Sequence, residues 1–232
     1  MSNEILLFIE IVGVFSAMLL FKKFFGKAGL YAWLGIAPII ANIQVAKCID
    51  LFGINATLGN VLFASVFLAT DMLSETYGKK YAKKGVLISF VSVITFLFIM
   101  QISLQFVPND IDIVNASMIN LFSLSPKICL ASVTMFLIAN IIDVNMYEAL
   151  KKKFGNEKMW LRNNICTIIC NCAENFGFTF LAFYGLYSTA DIITISIGTC
   201  IIETIVALCD TPFLYLSKTH FFMSEADTAK AA

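Results

Sequence analysis

Histidine is nearly missing from this chain: His220 is the only one, and it lies close to the C-terminus. Cysteines are present at 48, 129, 166, 170, 172, 200 and 209, but none forms a metal-ligand spacing with that histidine. Zinc and a disulfide framework are therefore set aside, and the thiols read as small apolar packing groups. No G-x-x-x-x-G-K-[ST] phosphate loop occurs, so the chain by itself does not read as an ATPase. No Asp-rich magnesium motif is present and His220 lies in the tail, which leaves a lipid-acting enzyme without a metal cluster or an activated nucleophile. No enzyme activity, cofactor or metal is expected. There is no strong internal repeat and no low-complexity linker. The first apolar run lacks a basic leader and an A-x-A-like cleavage site, so it reads as a span and not as a signal peptide.

What the chain has is apolar surface. Of 232 residues 59% are hydrophobic, 22 are Phe, and the mean hydropathy is +0.84. An average soluble domain is only about 45–50% apolar. Residues 85–106, "GVLISFVSVITFLFIMQISLQF", carry no charge. Such a helix is about 33 Å long, enough to cross the ~30 Å hydrocarbon layer. The expected fold is all-α, a polytopic integral membrane protein with spans at roughly 5–21, 30–52, 58–76, 85–106, 127–150, 163–186 and 192–216.

Net charge is zero, but the charges are sorted. Lys22, Lys23 and Lys27 follow the first span, and Lys79, Lys80, Lys83 and Lys84 the third. Lys151, Lys152, Lys153, Lys158 and Arg162 follow the fifth, and Lys218 and Lys230 the seventh. With seven spans, fourteen of the 16 basic residues fall on one side; six would break the alternation. By the positive-inside rule the N-terminus is outside and the C-terminus cytoplasmic, in the cell membrane. The lysine runs read as topology signals, so the bilayer is a partner and nucleic acid is not. The expected organisation is an additional helix and its loop over 1–28, a six-helix core over 29–218 and a tail over 219–232. The tail from Met223 is polar and reads as disordered. In the loop 107–126, "IVNASMINLF" is expected to form a short amphipathic helix.

The spans carry polar residues in stripes. Asn163, Thr167, Asn171, Glu174 and Phe178 recur at helical spacing, as do Ser196, Thr199, Glu203, Ala207 and Asp210. Phe136, Asn140, Asp143 and Tyr147 form a third stripe, and Asn60, Ser65, Asp71 and Glu75 a fourth. Asn42 or Ile43, Lys47 and Asp50 are expected to form a fifth, with Lys47 as the only mid-span base. The fourth span has almost nothing polar until Gln101 and Gln105, so it is expected to be the lipid-facing wall. A charge at the bilayer centre costs about 2.5–3.5 kcal/mol on insertion scales, so the stripes are expected to face one another. Ser65, Thr167 and Thr199 read as helix–helix glue. Asp50, Glu148 and Asp210 read as groups near span ends, and Glu10 stands alone on the first span. Glu174, Glu203 and Asp143 are the functional candidates. Carboxylates, carboxamides and aromatic rings together suit a small polar solute, flat and rich in hydrogen-bond donors.

"ANIQVAKCIDLFGINATLGNVLFASVFLATDMLSETYGKKYAKKG" resembles the signature region of the queuosine precursor transporter family, also called the vitamin uptake transporter family. "LRNN", "FLAFYG" and "DTPFLYL" are similar to its later motifs, and the likeness covers about residues 29–218. The resemblance implies import of 7-deazaguanine bases, either the cyano and aminomethyl precursors or queuine, for salvage into tRNA modification. It also implies a distant likeness to the substrate-binding membrane subunits of energy-coupling-factor importers, and a subunit needing a separate energising complex is the alternative. A homo-oligomer is compatible with this. By the same resemblance Glu174 would accept from the ring N–H and amino edge of the base, while Asn171 and Asn140 orient it. Glu203 or Asp143 would meet a ligand amine, and Asn60 and Asp71 would complete the site. Lys47, Glu75 and Arg162 are expected in gating or structural ion pairs, with Arg162 latching Glu75. Family members tend to have Ser-Gln where this chain has Ala139-Asn140, Gln and Asp at positions 171 and 174, and Lys at 203. These departures imply a bulkier or more cationic ligand.

Overall fold

The computed structural model describes residues 2–123, 126–155 and 158–223. Its first helix, α1 (Asn3–Gln44), has 42 residues. Straight, it would measure about 63 Å, twice the hydrocarbon thickness. It is not straight. Gly26, at φ 55 and ψ -131, interrupts the helical dihedrals. Gln44 Nε2 donates to Glu10 Oε1 at 2.9 Å across 34 residues of sequence, so the arms before and after Gly26 run antiparallel. Gly29 faces the end of the first arm so closely that a Cβ there would lie 1.9 Å from the Phe21 carbonyl oxygen. The arms take up the sequence expected for the first two spans, and Glu10, which had no role, ties their far ends together.

The second arm stops at Gln44, short of the expected residue 52. Strands β1 (Cys48–Leu51) and β2 (Ile54–Thr57) then pair antiparallel, with Leu51 opposite Ile54. Phe52 and Gly53 form the two-residue turn, both at positive φ (51 and 76). That is the backbone sign pattern of a type I′ hairpin, whose twist matches paired strands. The protein is all-helical as expected apart from this short hairpin, and the correction is to the end of the second span. The mostly apolar stretch before Gly53 reads as the end of a span unless the turn is recognised. The N-terminus holds this hairpin: Asn3 Nδ2 donates to the Asp50 carbonyl at 2.9 Å, and Phe52 N–H to Glu4 Oε1 at 3.2 Å.

The remaining elements are α2 (Asn60–Thr76), α3 (Lys79–Ser103), α4 (Asn115–Phe122), α5 (Pro126–Phe154), α6 (Met159–Phe183), α7 (Thr189–Leu216) and a 3-10 turn (His220–Phe222). Helix α2 is the central post. It packs against α1, α3, α5, α6 and α7, and 14 of its 17 residues are buried. Helix α3 is a wall, as expected. It buries Ala82, Gly85, Val86, Ser89 and Val93 and exposes Leu87, Val91, Ile94, Phe98, Ile99 and Ile102. Ser89 Oγ donates to the Leu34 carbonyl at 2.6 Å, docking that wall on α1. Helix α4 forms within the expected loop stretch. Among the described residues, α1, α3, α5, α6 and α7 are long and apolar enough to cross a membrane, and their outward faces carry large apolar side chains. The protein is a helical, multi-pass membrane protein. The tail from 224 onward lies outside the described residues.

The lysines gather at one end. Lys22 Nζ donates to the Ser217 carbonyl, Lys23 Nζ sits 3.4 Å from the Phe221 ring centroid, and Lys27 Nζ 4.3 Å from that of Tyr81. The bend of α1, the start of α3 and the end of α7 therefore meet there. The β-hairpin and the α6–α7 turn lie at the other end. Lys22, expected in a loop, is 1% exposed, because the chain stays helical through it and α7 covers it.

Candidate functional site

At the lysine end α2 presents Glu75, whose side chain is 1% exposed. Arg162, at the start of α6 and 0% exposed, forms an ion pair and hydrogen bond with it. Lys218, just past α7, reaches Glu75 Oε2 at 2.5 Å, and Lys151, near the end of α5, reaches Oε1 at 3.4 Å. One carboxylate thus joins the ends of four helices. Arg162 is fixed further by its Nη1 donating to the Gly155 carbonyl at 2.5 Å, and by the Tyr147 ring, 5.4 Å from its guanidinium carbon. The sequence puts these groups together because helices cross at their ends in alternate directions. The end of α2, the end of α5, the start of α6 and the end of α7 share one side.

One turn above Glu75 on α2 is Asp71, and it shares a layer with two other aspartates. Asp143 from α5 and Asp210 from α7 both lie within electrostatic range of it. All three are 0% exposed. Asp210 Oδ1 accepts from Asn163 Nδ2 at 2.6 Å. Neither oxygen of Asp71 or Asp143 accepts from a protein donor, nor does Asp210 Oδ2. Thr70 lies beside Asp143, but its hydroxyl donates to the Phe67 carbonyl at 2.8 Å. Asn140 Oδ1, Asn163 Oδ1 and Thr167 Oγ1 are also buried without a hydrogen-bond partner, and the buried Tyr147 side chain packs against Arg162. Asp210 was expected near a span end; it is corrected to a core residue, since α7 continues to Leu216 and α6 covers it.

Farther from the lysine end, about 10 Å along α7 at 1.5 Å per residue, is Glu203. Its Oε2 accepts from Asn175 Nδ2 of α6 at 2.8 Å, and Glu174 lies within electrostatic range. Both glutamates are partly exposed. Asn171 is 6% exposed one turn below, and the Phe178 ring stands one turn above Glu174. Asn163, Thr167, Asp210 and Ala207 of the stripes are buried, as are Ser196 and Asn60 toward the opposite end, whereas Glu174, Phe178 and Glu203 are half-buried. This arrangement groups two carboxylates and two carboxamides that can meet donors with a ring that offers a flat face, above the Glu75–Arg162 ion pair.

The expected site residues therefore fall into separate groups. Asn171, Glu174 and Glu203 come together. Asn140, Asp143 and Asp71 form the deeper layer, and Glu75 and Arg162 the floor. Asn60 is at the opposite end of α2, where its Nδ2 donates to the Thr57 carbonyl at 3.1 Å. Lys47 is corrected: it is exposed in the turn before β1 and belongs to no cluster. Its supposed span ends three residues earlier, so nothing covers it. Asn175, Lys218 and Lys151 were missed. Asn175 is adjacent to Glu174 but off the stripe that periodicity picks out. Cys166, Cys170, Cys172, Cys200 and Cys209 are free thiols, and no group of His, Cys, Asp and Glu among the described residues is arranged to hold a metal ion. Cys48 falls in β1 and not in a span; its side chain and that of Cys129 lie outside the described residues.

Comparison with known proteins gives two kinds of match. The family described as "Putative vitamin uptake transporter" matches residues 57–217. A protein of Bacillus subtilis (strain 168) named "Probable queuosine precursor transporter" is 38% identical over 94% of this chain and 95% of its own length. The "Queuosine precursor transporter" of Escherichia coli (strain K12) is 23% identical over 66% of this chain and 68% of its own. No solved structure matches.

Proposed function

The chain belongs to the vitamin uptake transporter family, a family of transporters and not of enzymes, and from that premise we propose that it imports queuosine precursor bases across the cell membrane for salvage. The polar stripes carry this reading: a half-buried Glu174–Glu203 pair stands in the spans away from the lysine end, and the buried Glu75–Arg162 pair closes that end. Polar groups between membrane helices, latched at one end, suit an alternating-access carrier at rest. The positive-inside rule assigns the latched end to the cytoplasm. The seven-span count is supported by the two antiparallel arms of α1, of which the first is an addition to a six-helix core.

The ligand binds between α6 and α7. Glu174 accepts from the ring N–H and amino edge of the base, Asn171 orients it, and Phe178 offers a stacking face. Glu203, steadied by Asn175, faces a cationic substituent. Two neighbouring carboxylates favour an amine-bearing base over the neutral cyano compound, because the ligand's charge offsets theirs. Opening of the Arg162–Glu75–Lys218 latch then releases the base inward.

The test is uptake of labelled bases by cells lacking their own importer and precursor synthesis. Wild type should accumulate the amine-bearing base, Glu174→Gln should lose uptake, and Glu203→Lys should shift preference toward the cyano base. Failure of wild type to move any of these bases overturns the reading, as does full uptake by Glu174→Gln.

A further inference from the structure

The aspartate layer between the glutamate pair and the latch has no part in ligand recognition as described. Asp71, Asp143 and Asp210 come from three helices, are fully buried, and leave five of six carboxylate oxygens without a protein donor. An acidic cluster alone would mean little. Two neutral groups add an independent sign: Thr167 Oγ1, one turn from Asn163 on α6, and Asn140 Oδ1, one turn from Asp143 on α5, are fully buried and have no hydrogen-bond partner. The nearest cation, Arg162, is committed to Glu75 and to the Gly155 carbonyl, with its Nε unpartnered. Three ionised carboxylates at this depth would share that single cation, and each uncompensated charge there is strongly unfavourable. The compensation must be bound positive charge. Among the described residues no group has the geometry of a metal site. Protons need no coordination shell.

We propose that the layer is a proton site which sets the latch through Arg162, so that inward transport is coupled to proton entry. This rests on the transport reading above. With protons on the layer, Arg162 belongs to Glu75 and the inner end is shut. When Asp71 gives its proton to water on the lysine side, its carboxylate, one turn from Glu75, competes for the guanidinium. Glu75 is then held only by Lys218 and Lys151, which are 40% and 25% exposed, and the latch loosens. The only bond broken is a carboxyl O–H, and water takes the proton. The groups facing Asp71 are Asp143 and Tyr147 of α5, Arg162, Cys166 and Cys170 of α6, and Asp210 of α7, with Glu75 on its own helix. Lys27 of α1 and Tyr81 of α3 stand at the end of α2 beside Tyr77.

The experiment uses the full chain in proteoliposomes with labelled aminomethyl-deazaguanine. Exchange against preloaded base, which needs no driving force, tests the transport reading alone. Net uptake under an inward proton gradient tests the coupling. One pH unit should sustain up to about tenfold accumulation per proton; Asp71→Asn, fixed in the shut state, should lose both exchange and net uptake, while Asp143→Asn should keep exchange and lose the response to the gradient. Exchange without any response to the proton gradient overturns the proposal and spares the transport reading. A response to sodium in place of protons also overturns it. Infrared spectroscopy of the protein in nanodiscs, with no ligand, supplies the second readout. A protonated-carboxyl stretch at neutral pH should weaken in Asp71→Asn and Asp143→Asn. If exchange fails, the transport reading falls; the stretch, present and lost in these variants, still upholds the proton site, and its absence refutes it.

Discussion

Replacing Glu75 with Gln would remove the counter-charge from a guanidinium that is 0% exposed and whose other partners, the Gly155 carbonyl and Tyr147, are neutral. Removing one partner of a buried ion pair costs about 3–5 kcal/mol, because the other charge is left buried alone. That corresponds to roughly two to four orders of magnitude in the folding equilibrium. Lys218→Ala should differ. Lys218 is 40% exposed and Glu75 keeps Arg162 without it, so the cost should stay below about 1 kcal/mol. The paired change Glu75→Met with Arg162→Met removes both buried charges and fills similar volume. It should return to within about 1–2 kcal/mol of wild type. Lys218 and Lys151 would turn to water. The assay is unfolding in mixed detergent micelles followed by tryptophan fluorescence, with uptake measured on the same variants. Stability should recover in the double variant while uptake does not, since an apolar floor has no switchable charge. Equal small losses for Glu75→Gln and Lys218→Ala would refute the asymmetry. A double variant no better than its parents would refute the claim that the charges act as a pair.

Three further outcomes follow from the geometry. Gly29→Val should abolish folding of the α1 hairpin, since its Cβ would overlap the Phe21 carbonyl at 1.9 Å; normal yield and unfolding of the purified variant would contradict that packing. A double-mutant cycle on Glu10→Ala and Gln44→Ala should give a coupling of about 1 kcal/mol, that of one partly buried hydrogen bond, and zero coupling would mean the arms are not tied there. Cysteines introduced in a background without native thiols should label from opposite faces of the membrane. Lys47→Cys should react with an impermeant reagent outside and Lys153→Cys only from inside, and labelling from one face would break the proposed topology.

The sequence made the spans legible because length and apolarity decide them, and because the lysine loops alternate. It located the polar stripes for the same reason: helical spacing fixes a face. Periodicity does not say which stripe meets which. The Asp71–Asp143–Asp210 layer joins residues 71 and 210, a contact no local pattern encodes. Asp210 was misjudged because only packing against Asn163 makes a residue near a helix end interior. Lys22 was misjudged because the helix continues through it to Gly26 and α7 closes over it. The hairpin at 48–57 was hidden in an apolar run, with Gly53 its single cue. Lys47 was misassigned with it.

The enclosure of α2 has a consequence for how the protein is made. This helix is 17 residues long, carries Asp71 and Glu75, and does not count among the helices apolar and long enough to cross a bilayer unaided. During synthesis it emerges before α5, α6 and α7, which supply its neighbours and the cations for Glu75. Until residue 218 is made it has no complete berth. A nascent chain cut after α3 should therefore hold α2 in the translocation channel or surrender it to membrane proteases, and stable insertion should appear only once the last helix arrives.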